Sequence, residues 1–344
     1  MNFKKFNLVL VFFISFNSFS QFSPLDGLKK TKFLSEEETE ISLIYDKPEE
    51  LRILAFYIPT LVGVKFSGME TSIFDLRLGM YYIGKGKLNG GFSQKFTLKS
   101  LPLYHDIDSD IIGPYDPIKF SNEYEGYLNY FFVEKTDIKK QSVLVCADLR
   151  YEYYTSLNVH RINKFGLSLG VIGGKMKYDL GKLKMNLTSY YNPNTSLNEE
   201  FFEQHTNQNY LFLKAGVAYN KLTDFVVDSE KFGKKIGTVS WLFSANLLFA
   251  VQNKFQDVIL GGFSPTRYVI ENEFVKKNPI GFEIGAKQST RGNTVSLDTR
   301  LRYQPGLSGR FGLMFLASVS YQIDFFHLKE FEIPDLFKFK KKKC

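Results

Sequence analysis

The sequence predicts an all-β fold, a transmembrane antiparallel up-and-down β-barrel of about 14 strands, with 12 to 16 as the range. Three observations carry this. First, late in the 344-residue chain, Leu313, Phe315, Ala317, Val319, Tyr321, Ile323 and Phe325 recur at every second position. Gly312, Ser318, Ser320, Gln322 and Asp324 lie between them, with Met314 and Leu316 as exceptions. A period of two makes one face of an extended chain apolar and the other polar. Second, this run and several before it exceed the about 5–6 residues of a soluble strand and reach the roughly 9–11 that a tilted strand needs to cross a bilayer. Third, 35 Phe, 20 Tyr and 26 Gly against 2 Cys suit aromatic girdles and tight turns, not a disulfide-stapled domain. A mean hydropathy of -0.16 fits, because each strand is apolar on one face only.

Residues 1–20 read as a cleaved secretory signal peptide. Lys4 and Lys5 form the basic start, 8–14 the apolar centre, and Ser18 and Ser20 the small residues before Gln21. That centre is too short for a spanning helix, which needs about 20 apolar residues. Export without a long apolar helix leaves a soluble exported protein or a barrel in the cell outer membrane. A soluble β-sandwich is the competing fold, and strand length favours the barrel.

The formal charge of +8 divides unevenly. Lys4 and Lys5 leave with the signal, and the tail 327–344 carries six Lys against Glu330, Glu332 and Asp335, so only about three charges remain on the body. The basic balance therefore gives no support for nucleic acid.

After a periplasmic leader (21–40) with the acidic run Glu36–Glu40, the barrel is expected over 41–326. Strands are expected at 52–66, 72–83, 92–100, 124–133, 143–154, 165–171, 183–191, 211–219, 238–250, 280–287, 295–303 and in the final run from Phe311 to Phe326. The stretch 251–278 is ambiguous, with room for two more. Residues 84–91 and 290–293 have turn composition. Long connections are expected at 101–122, 192–208 and 221–235. The last two flank a single strand and cannot lie on the same side, so either one is a long periplasmic connection or a strand is missing.

The polar faces of the clean strands are charged: Asp75, Arg77, Asp148, Arg150, Glu152, Lys214, Glu283, Lys287, Asp298, Arg300 and Arg302. A lipid-facing Arg or Lys costs about 2–4 kcal/mol at the midplane, so these residues are expected to line the lumen. There they either pair as structural ladders or form a charged constriction.

Other signals are weaker. Asp106, Asp108 and Asp110 have the alternate spacing of a calcium loop, but Ile111 and Pro117 stand where the turn Gly and the bidentate Glu belong. His105, His160, His205 and His327 are scattered without a catalytic or metal spacing, so no enzyme and no cofactor is expected. Cys146 falls on a lumen face, and Cys344 ends a basic tail that suits anionic lipid or an acidic partner.

The Ser-Phe-Ser-Gln stretch ending at Gln21, the Phe-, Tyr-, Lys- and Asn-rich composition and the alternating strands resemble outer-membrane barrels of Bacteroidota. The resemblance runs to Phe326 and is compositional, so it carries over no functional residue. No motif marks a named transporter or a secretion component, and a TonB-dependent receptor's 22 strands and plug need far more chain. The resemblance implies outer-membrane lipid as a partner and insertion machinery that recognises the last strand. Two functions follow as expectations. One is a porin-like channel or transporter for small solutes with a charged lumen. The other is a non-conducting barrel subunit or scaffold of an envelope-biogenesis or secretion complex, with envelope proteins as partners. A continuous open lumen points to the first, a filled one to the second.

Overall fold

A computed structural model describes residues 30–35, 40–67, 71–100, 121–147, 151–179, 189–192, 197–200, 205–229, 233–255, 258–260, 266–268, 278–291, 294–307 and 312–327. In chain order the strands are β1 (Lys30–Phe33), β2 (Ile41–Asp46), β3 (Ile53–Ser67), β4 (Thr71–Ile83), β5 (Leu88–Ser100), β6 (Ser121–Ala147) and β7 (Tyr151–Asp179). They continue with β8 (Ser189–Asn192), β9 (Leu197–Glu200), β10 (His205–Thr223), β11 (Phe225–Ser229), β12 (Lys235–Ile236) and β13 (Val239–Phe255). The last are β14 (Val258–Leu260), β15 (Thr266–Tyr268), β16 (Ile280–Ser289), β17 (Thr294–Tyr303) and β18 (Leu313–Asp324).

Ten of these close into an antiparallel ring in the order β3-β4-β5-β6-β7-β10-β13-β16-β17-β18. The ring shuts where β18 pairs with β3, from Met314 opposite Ser67 to Asp324 opposite Ala55. β1 is an extra strand laid parallel on β7, Lys30 opposite Tyr151.

The count of about 14 is therefore corrected to ten. Two of the four surplus strands come from 122–192, where four were expected, and the other two from 251–278. Two very long ones, β6 with 27 residues and β7 with 29, hold most of that stretch. β7 pairs with β10 only from Asp179 to Arg161, so the rest of the β6–β7 pair projects past the rim as a hairpin. Beyond the rim nothing enforces one apolar face, and the charged residues of 134–140 break the alternation without breaking the strand. Of the expected run 183–191, only the start of β8 is described. The ambiguous 251–278 contains β14 and β15, which pair with each other outside the ring.

The ladder also settles the sidedness of the long connections. The connection after β10 leaves at the end where β3 begins and β18 finishes; the one before β10 lies at the opposite end. Thus 221–235 is a long connection on the termini side, as one of the two alternatives had it. It folds back as a cap, in which β11 pairs with β12 and with β2.

The cap has its own small core. Val143, Leu157 and Val159 of the hairpin pack with Phe225 and Val227 of β11. The carboxylate of Asp46 accepts the His160 backbone N–H at 2.9 Å and lies 2.8 Å from His160 Nδ1, tying β2 to β7. Asp224, between β10 and β11, accepts Thr238 and the Arg291 guanidinium at 3.1 Å, which anchors the cap to the β16–β17 turn. Partial burial, then the charges of Asp224 and Glu50, push the Tyr45 hydroxyl up to about 12.

Inward and outward positions alternate along the ring strands, broken at β-bulges such as Phe131–Val133. On β6, Glu123, Glu125, Asn129 and Phe131 are buried, while Tyr124, Leu128, Tyr130 and Phe132 are exposed. Leu169 is 58% exposed, and Leu78, Met80, Leu213, Leu247 and Ile284 share the same outward position. So continuous an apolar exterior is far larger than the patches that water-facing monomers carry. No helix among the described residues is long and apolar enough to cross a membrane. Aromatic pairs ring the termini end: Phe132 with Phe165, Tyr219 with Phe243, and Phe56 edge-on to Phe325 at 4.7 Å. Aromatic girdles at one level are a feature of transmembrane barrels. On the inner face, β7 crowds the backbone of its neighbour β6 at Gly166, where an added Cβ would sit 2.0 Å from the Tyr130 carbonyl oxygen.

Candidate functional site in the barrel lumen

The inward positions near the barrel's middle bring charged residues from six strands into one chain of contacts. Asp298 on β17 accepts Arg77 of β4 at 2.6 Å and the fork of Arg300 at 2.8 and 2.6 Å. Arg300 also reaches Glu125 on β6. Lys214 of β10 donates to Glu125 at 2.7 Å and to Glu283 of β16 at 2.6 Å. Arg302 joins Glu283 at 2.8 Å to Glu123 at 2.6 Å, and Tyr210 donates to Glu123 at 2.8 Å. Lys95 stands 3.8 Å from Glu123. All of these groups are buried or nearly so. Such charges persist in a dry interior only when paired and hydrogen-bonded, and the shared carboxylates meet that demand.

Beside this network sits an aromatic cage. Lys287 Nζ lies 3.7 Å from the Tyr81 ring centroid, 5.0 Å from that of Tyr57 and 5.6 Å from that of Tyr127, and donates to the Tyr127 hydroxyl at 3.1 Å. The Arg77 guanidinium covers Tyr57 at 4.6 Å. Cation–π contacts strengthen when water is excluded, as here.

Among the described residues, packed side chains flank this network on both sides. At the termini end Leu51, Ile53, Ala55, Ile83, Ile162 and Leu222 form a buried apolar layer beneath the cap. Toward the opposite end Gln304 donates to Gln208 at 2.9 Å and Gln208 to Asn253 at 2.5 Å, all near buried Leu307 and Met314. Between these layers lies a cavity of about 30 Å³.

Of the residues singled out from sequence, Arg77, Lys214, Glu283, Lys287, Asp298, Arg300 and Arg302 are together in this lumen. Glu152 is not. It lies near the start of β7 in the projecting hairpin, where Tyr154 donates to it at 2.9 Å, because β6 ends at Ala147 and β7 begins at Tyr151. The Asp75 side chain, the residues Asp148 and Arg150, and the calcium candidates Asp106, Asp108 and Asp110 lie outside what is described, as do residues 1–29 and 328–344. The Cys146 side chain does too.

Sequence reasoning missed Lys95, Glu123 and Glu125. The signal was present: Glu123, Glu125, Tyr127 and Asn129 alternate opposite Tyr124, Leu128 and Tyr130. The expected strand started at 124 and gave those glutamates no partner.

No family model and no curated protein matches the chain. Among solved structures, OmpF of Salmonella typhi in complex with daunomycin overlaps 83% of this chain and 100% of its own, at 7% identity and a TM-score of 0.17. Two mutant forms of the Rh. blastica porin overlap the same shares, at 10% and 11% identity and a TM-score of 0.15 each. Scores this low carry no weight, and the barrel stands on its own strand ladder.

Proposed function

We propose that this chain is an outer-membrane barrel, closed along its axis, that serves as a non-conducting subunit or scaffold of an envelope assembly. One observation carries the reading. The lumen is bridged wall to wall by Arg302 and Glu123 at 2.6 Å, inside a network whose every carboxylate is shared between cations. Ring size supports it, since barrels of about eight strands are filled by their own side chains and those of 16–18 leave a channel. The apolar exterior and aromatic girdle support insertion in lipid. With an even number of strands, both barrel termini face the periplasm, which puts the cap and the projecting β6–β7 hairpin there. Along that hairpin Lys135, Lys139 and Lys140 are exposed, as is Ile138 at 62%.

The test is site-specific photocrosslinking in intact envelopes. A crosslinker at Ile138 is expected to trap an envelope protein, while one at lipid-facing Leu169 is not. Absence of any protein adduct from Ile138 in envelopes where the barrel is folded contradicts the scaffold role. The second reading is a channel for small solutes that opens when the ion-pair layer moves. The lumen's mixed charge and small cavity favour it, and liposome swelling by small sugars reads it directly.

A further inference from the structure

Lys287 differs from the other lumen cations. Among the described residues its ammonium has no carboxylate in contact; it has Tyr127 and the faces of Tyr57, Tyr81 and Tyr127. Its cross-strand partner by register is Asp298, but Arg77 and Arg300 already hold both oxygens of that carboxylate. The described centre of the lumen sets Arg77, Lys95, Lys214, Lys287, Arg300 and Arg302 against Glu123, Glu125, Glu283 and Asp298. Among the described residues that is six cations against four carboxylates.

The cavity adjoins this cation. Its lining includes Lys287, Tyr127, Asn129, Ser168, Ser244 and Arg300. Asn129 is 1% exposed, and neither its Nδ2 nor its Oδ1 has a protein hydrogen-bond partner. A buried amide left unsatisfied costs about 1–3 kcal/mol, and a buried unpaired charge more. Both costs fall at the same place. The lining carboxylates Glu125, Glu283 and Asp298 are each engaged by two cations, so they do not repel an anion as bare charges would. Tyr127 accepts from Lys287, which leaves its own hydroxyl proton to give.

We propose that this cavity binds one small monovalent anion of the halide class, held by Lys287 Nζ, Asn129 Nδ2 and the Tyr127 hydroxyl. A volume of about 30 Å³ suits one or two water-sized species and excludes gluconate or sulfate. A water satisfies Asn129 equally but brings no charge to Lys287. The site rests on lumen geometry, not on the scaffold role: a barrel that conducts and still binds the anion would overturn the role and leave the site.

The experiment uses the full mature chain folded in detergent, with sodium chloride, bromide or gluconate at equal ionic strength. Unfolding midpoints are expected to be higher in chloride and bromide. A tenfold rise in chloride should shift the unfolding constant by up to about tenfold once the site is near saturation. Lys287→Met should abolish the difference. Asn129→Asp, which supplies the charge internally, should abolish it while folding as well in gluconate as in chloride, and it carries the test if Lys287→Met does not fold. Crystals grown in bromide should show an anomalous peak in the cavity. Equal midpoints in all three salts for the unaltered chain overturn the proposal. A bromide peak without a midpoint difference does so too, since it marks an adventitious ion only.

Discussion

Arg302 and Glu123 stand on opposite walls of the barrel, five strands apart in either direction around the ring, yet their side chains meet at 2.6 Å. Arg300 and Glu125 make the same crossing two residues along each strand. A ladder pair would only join neighbouring strands. These pairs brace the barrel across its diameter and occupy the space a solute would use.

The bracing depends on shared carboxylates, so removing one cation weakens two of them at once. Lys214→Met takes a short contact from Glu125, which keeps Arg300, and from Glu283, which keeps Arg302. We expect a loss of about 3–5 kcal/mol, the usual cost of breaking a buried pair from one side. The further changes Glu125→Gln and Glu283→Gln should restore part of it. Urea unfolding midpoints in detergent or lipid, followed by the heat-dependent gel shift of folded barrels, measure both.

The lipid reading makes the cost of a charge depend on the face. Leu169→Arg should destabilise the barrel by about 2–4 kcal/mol in vesicles. Leu43→Arg, on the exposed face of the cap strand β2, should change stability by no more than about 0.5 kcal/mol. Similar, small effects at both positions would place the belt in water.

The cap is expected to open independently of the barrel. Phe225→Ala removes the largest side chain of the cap core and should cost about 3–5 kcal/mol locally. Limited proteolysis should then cut within 224–238 while the barrel keeps its heat-dependent gel shift. Loss of that shift would mean cap and barrel fold as one unit.

What was legible in the sequence follows from the contrast between the two faces of a strand. Where a strand is apolar outside and charged inside, as in β17, period two is clean and residues such as Asp298 and Arg300 are assigned inward correctly. Met314 and Leu316 broke the pattern because they are apolar yet point inward, beside Arg302 and Arg300 of β17. The β6–β7 hairpin was misread for the converse reason: outside the rim Lys135, Asp137, Lys139 and Lys140 can lie on either face. The pairing of charges was not legible at all. Nothing in strand spacing says that Glu123 meets Arg302 across the ring, because that contact depends on strand number and stagger.

The most direct measurement is single-channel recording from the mature chain, folded and inserted into planar bilayers. A closed barrel is expected to insert, resist heat and detergent, and pass no stepwise current. Stepwise currents from the unaltered chain, with ion selectivity that changes on Arg300→Glu and Arg302→Glu, would contradict a closed lumen and establish a conducting pore.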